Sequence, residues 1–72
     1  MNATELLAAV RTGKVLYIAT HYRITKIDAK TVAKFDAANH PVIKTGTDGH
    51  LYMASGRKYV DCHYCAIKLV DA

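Results

Sequence analysis

Seventy-two residues, 51% of them apolar and only one a proline, make a single small folded domain and exclude a disordered tail or a second core. Lys and Arg outnumber Asp and Glu by ten to six, a balance that suits acidic partners. No apolar run approaches the roughly 18 residues of a membrane span. The opening "MNATELLAAVRTG" has neither the basic start nor the apolar length of a secretory leader. The expectation is a cytoplasmic protein with no membrane partner, whose thiols stay reduced.

In chain order, residues 2–13 read as a first helix, with Asn2 as its cap, Glu5 completing a capping box and Gly13 closing it. Leu6, Leu7 and Val10 give it one apolar face. Residues 14–27, "KVLYIATHYRITKI", are β-branched and aromatic without Gly or Pro. They predict one long strand, or two strands broken near Thr20 and His21. Strand alternation puts Leu16, Ile18, Tyr22 and Ile24 toward the core, and Tyr17, His21, Arg23 and Thr25 on a wetter face.

Asp28 starts a second helix, where Ile27 can pack on Val32 as a hydrophobic staple. Asn39-His40-Pro41 ends it, and Lys30 and Lys34 lie one turn apart on its outer side. The remainder is β-type: "PVIKT" and "HLYMA" around "GTDG", then "RKYVD" and "AIKLV". The fold class is α+β, a three- to four-stranded antiparallel sheet with two short helices on one face, in the order α-β-α-β-β-β.

A two-residue turn at Ser55-Gly56 would set Tyr52 opposite Tyr59, Leu51 opposite Val60 and His50 opposite Asp61. Leu51, Met53 and Val60 would then point inward, and Tyr52, Arg57 and Tyr59 outward. Tyrosines beside cations on a sheet face suit single-stranded nucleic acid, because bases stack on the rings while cations hold the backbone.

From Arg11 to Lys34 there are six basic residues (Arg11, Lys14, Arg23, Lys26, Lys30, Lys34) against Asp28 alone, a net +5. Such a segment attracts phosphates or an acidic protein surface. The expected binding residues are Tyr17, His21, Arg23, Lys26, Lys30, Lys34, Tyr52, Arg57 and Tyr59.

Cys62 and Cys65 stand at a metal-like or redox-like spacing. In "VDCHYCAIKLV", which has no glycine and reads as extended, residues three apart point to opposite faces. The pair therefore reads as structural, with no metal and no cofactor. His50 beside Asp61 resembles an oriented base, but no nucleophile is placed to use it, and no phosphate-binding glycine loop is present. A non-enzymatic binding protein is expected, engaging nucleic acid or a nucleoprotein. The second reading is a regulator or inhibitor of the size viruses and mobile elements use against a host protein, acting through a strand edge or sheet face. A homodimer is compatible with either.

Overall fold

A computed structural model describes residues 2–72. Helix α1 spans Ala3–Arg11 and α2 spans Ala29–Ala37; the strands are β1 Val15–Ala19, β2 Ile24–Ile27, β3 Ile43–Thr45, β4 Leu51–Ser55, β5 Lys58–Asp61 and β6 Ala66–Val70. The α+β class, the antiparallel pairing and the element order agree with the sequence reading. The strands divide between two three-stranded sheets, ordered β2-β1-β6 and β3-β4-β5. The last strand leaves the meander and returns to pair with β1.

The helix signals act as their chemistry dictates. Asn2 accepts from the Glu5 amide at 2.9 Å while the Glu5 carboxylate accepts from the Asn2 amide, so both halves of the capping box form. Asp28 accepts from the Thr31 amide at 3.0 Å and caps α2. The Ala3 amide donates to Thr45 Oγ1 at 3.0 Å and ties the start of α1 to β3. Leu6 and Val10 of α1, Val32 of α2, Leu16, Ile18 and Ile27 of the first sheet, and Ile43, Leu51 and Met53 of the second share one core. The helices thus cover the inner faces of both sheets.

Residues 14–27 form two strands, and the break changes the facing of the second. The Thr20 amide donates to the Arg23 carbonyl at 2.9 Å, and Thr20 Oγ1 accepts from the Tyr22 and Arg23 amides. The chain reverses there. The register then joins Leu16 to Ile27 and Ile18 to Thr25, so the inward set passes from even-numbered to odd-numbered residues. Tyr22 and Ile24, expected in the core, are 95% and 70% exposed. His21 and Arg23 lie in the turn instead of on a strand face.

The second hairpin also differs from its expected register. Ser55 pairs with Lys58, leaving Gly56 and Arg57 as the loop. Gly56 has φ 62° and Arg57 does not enter the left-handed region, the requirement of a type II′ turn with glycine first. Tyr52 therefore faces Asp61 instead of Tyr59, and Met53 takes Val60 as partner. The change amounts to two residues, so every side chain keeps its face. Leu51 and Met53 are buried as expected, whereas Val60, at the sheet edge, is 39% exposed. Arg57 stands in the turn, outside the strand "RKYVD" that the sequence suggests.

These facings have a direct test. Ile18→Ala should cost about 2–5 kcal/mol, as core truncations do, while Ile24→Ala should stay within about 0.5 kcal/mol. Urea denaturation measures both, and equal costs would restore the facing of one unbroken strand.

Candidate functional site

Helices cover one side of the sheet β2-β1-β6, and the other side carries a cross-strand row. Tyr17 on the central strand has Lys26 opposite it on β2 and Lys68 opposite it on β6. Directly opposed residues in an antiparallel pair lie on the same face with Cβ atoms about 4.5–5.5 Å apart. Tyr17 is half-buried and both lysines are exposed. The next row along the same face is Ile24–Ala19–Ala66, and beyond it lies the exposed turn with His21, Tyr22 and Arg23. Of the expected binding residues, the fold gathers Tyr17, Lys26, His21 and Arg23 at this face and its end. Lys30 and Lys34 stand exposed on α2, in the helix layer on the sheet's other side.

Ion pairs thin out the basic segment. Arg11 makes both of its contacts to Asp36, at 3.1 and 3.3 Å, and Lys14 reaches Asp71 at 2.9 Å. Among the described residues Arg23, Lys26, Lys30 and Lys34 make no ion pair. The sequence alone does not single out Lys68. Its alternation with Ile67 and Leu69 marks it as outward, but only the pairing of β6 with β1 shows which residue it joins.

Tyr52 and Tyr59 lie on the outer side of the sheet β3-β4-β5, where both are half-buried and already engaged. The Tyr59 hydroxyl donates to the Pro41 carbonyl at 2.6 Å. Its ring has His40 at 5.2 Å and Lys44 Nζ at 4.1 Å from the centroid, and His40 stacks in turn on Phe35. The Tyr52 hydroxyl donates to Asp48 Oδ2 at 2.6 Å, and this bond pushes the phenol up to about 12. Gly46 lies under the Tyr52 ring with no room for a Cβ.

The same face ends in a charged cluster. Asp48 Oδ1 accepts from the His50 amide at 3.0 Å, and Asp61 Oδ1 accepts from the His63 amide at 2.9 Å. Each aspartate thus caps the histidine two residues on. The carboxylates only accept, so His50 Nδ1 carries a proton and donates to Asp61 Oδ2 at 3.1 Å, with Asp48 Oδ2 at 3.5 Å. The rings of His50 and His63 stack at 3.8 Å and 12°. The His50–Asp61 neighbourhood read from the sequence is present, although Asp61 faces Tyr52 in the ladder. Ligand atoms of Asp48, His50 and Asp61 lie within 4.8 Å of one another, the one such group among the described residues, and His50 would have to give up its Nδ1 proton to join the carboxylates on a cation.

The cysteines depart from the strand reading. β5 ends at Asp61 and β6 begins at Ala66, and the Cys65 amide donates to the Cys62 carbonyl at 3.1 Å. Residues 62–65 are a tight turn between the two sheets. Cys62 is buried in the core and Cys65 is half-buried. Beside this turn an open groove runs between the sheets, lined by Ala19, Arg23, Val60, Tyr64 and Cys65.

The chain matches no protein-family model, no curated protein and no solved structure. No helix among the described residues is long and apolar enough to cross a membrane.

The charged cluster has a pH signature. The bond from His50 to Asp61 raises the imidazole above its ordinary 6.5 and lowers the Asp61 carboxyl below 3.8. A raised histidine contributes stability below its unfolded value that is lost as pH rises through its folded value. A lowered aspartate contributes stability above its unfolded value that is lost as pH falls through its folded value. The cluster should therefore be strongest between about pH 4 and 6.5. In an NMR titration, His50 should deprotonate above 6.5, and Asp61→Asn should bring that midpoint down; an unchanged midpoint would refute the pairing.

Proposed function

We propose that the protein is a small non-enzymatic module that binds single-stranded nucleic acid through the open face of the sheet β2-β1-β6. The supporting observation is the row Lys26–Tyr17–Lys68, an aromatic ring between two cations on an uncovered sheet face. Bases stack on such a ring for about 1–3 kcal/mol each without regard to sequence, while flanking lysines hold phosphates. Arg23 and His21 extend the face at the turn, and Lys30 and Lys34 add long-range attraction from the helix layer. Tyr52 and Tyr59 contribute less in this reading, because Gly46 packs against the Tyr52 ring and His40 and Lys44 pack against the Tyr59 ring, and Arg57 lies in the loop of the other sheet.

A second reading, a regulator that binds a protein partner, draws on a different feature. Tyr22, Ile24 and Tyr64 are exposed by 95%, 70% and 94%, and Tyr22 and Tyr64 flank the groove between the sheets. Exposed apolar groups of this kind favour protein contact.

Fluorescence titrations of labelled single- and double-stranded oligonucleotides at several salt concentrations separate the two. Tyr17→Ala should weaken single-stranded binding about tenfold with little change in salt slope. Lys26→Ala with Lys68→Ala should lower that slope by about 1.4, at roughly 0.7 per phosphate contact on a single strand. Lys30→Ala with Lys34→Ala should have a smaller effect. No binding to either oligonucleotide at low salt would remove the nucleic-acid reading and leave the regulator.

A further inference from the structure

The turn at residues 62–65 brings two free thiols together at the junction of the sheets. Its 3.1 Å hydrogen bond from the Cys65 amide to the Cys62 carbonyl defines a β-turn, which brings the first and fourth Cα within about 7 Å. Disulfides close over Cα separations of about 4.4–6.8 Å. The two cysteines differ in access. Cys62 sits in the core, its amide donating to the Leu51 carbonyl at 2.7 Å, whereas half-buried Cys65 opens onto the groove beside Tyr64.

We infer that Cys62 and Cys65 form a reversible intramolecular disulfide by thiol–disulfide exchange with a small-molecule disulfide of the glutathione class. Cys65 reacts first: its thiol gives up a proton, its sulfur attacks one sulfur of the oxidant, and one glutathione thiolate leaves. Cys62 then loses its proton and attacks the Cys65 sulfur, expelling the second thiolate without needing solvent access of its own. The protein loses two S–H bonds and gains one S–S bond, the oxidant's S–S bond becomes two thiols, and the protons end on those thiols. The burial of Cys62 and the position of Cys65 on the groove set this order of attack.

The consequence is local to the groove. The turn joins β5 of one sheet to β6 of the other, carries His63 against His50, and sets exposed Tyr64 at the groove's rim. A bond across it staples the sheet junction and ties the shape of this end of the molecule to the thiol–disulfide balance around it.

The experiment incubates reduced protein with oxidised glutathione at about pH 8, quenches with an alkylating agent and reads intact mass and peptide maps. Wild-type protein should pass through a transient single-glutathione adduct on Cys65. It should end as a monomer lighter by two hydrogens, resistant to alkylation, with Cys62 joined to Cys65 and dithiothreitol restoring both thiols. Cys62→Ser should stop at the stable adduct. Wild-type protein that retains the adduct, keeps both thiols open to alkylation after equilibration, or is joined only between chains would overturn the inference. The wild-type result decides alone if the core substitution fails to fold.

Discussion

The pairing of β6 with β1 is the interaction on which the rest of this molecule depends. It joins residues about fifty positions apart, Val15 with Val70 through Ala19 with Ala66, and makes the buried strand β1 the centre of its sheet. Without it β1 and β2 would be a two-stranded hairpin held only by the helices packed on its inner face, and two-stranded hairpins by themselves are marginal in water. It also dictates where the other features fall. Lys68 comes to Tyr17 because of this register, and the chain must leave β5 through a short turn to reach β6. The cysteines and His63 therefore lie at the sheet junction.

Local structure was legible to the extent that it rests on local chemistry. The capping box of Asn2 and Glu5, the Asp28 cap and the apolar spacing of Leu6, Val10 and Val32 all concern residues within a turn or two of one another. Each appears where the sequence reading places it. Facing differs at the first hairpin, and register at the second, because each depends on a turn. Thr20 has neither glycine nor proline beside it, and its hydroxyl forms the reversal that places Ile24 outward. Gly56 rather than Ser55 opens the second hairpin because its loop needs a positive φ at the first position. The cysteine turn was missed for a related reason: "DCHYC" contains no turn-forming glycine, and Asp61 supplies the cap through its side chain.

The candidate site was half legible. Tyr17, Lys26 and Arg23 follow from composition and alternation within one segment. Lys68 does not, because nothing in "AIKLV" says which strand it joins. By alternation the tyrosines of the second sheet are equivalent to Tyr17, and the difference lies in their partners: Pro41 and His40, in the segment before β3, for Tyr59, and Asp48, in the adjoining loop, for Tyr52. Charge counting likewise could not separate Arg11 and Lys14, held by Asp36 and Asp71, from the cations that remain unpaired.

Three strands bring Lys26, Tyr17 and Lys68 together on the proposed binding face. Its most direct measurement is amide chemical-shift mapping of isotope-labelled protein titrated with a short oligothymidylate at low salt. Shifts should concentrate on Tyr17, Lys26 and Lys68 and their neighbours on β1, β2 and β6, moving together with one affinity, while β3, β4 and β5 stay quiet. Shifts confined to the second sheet, or none at saturating oligonucleotide, would contradict it.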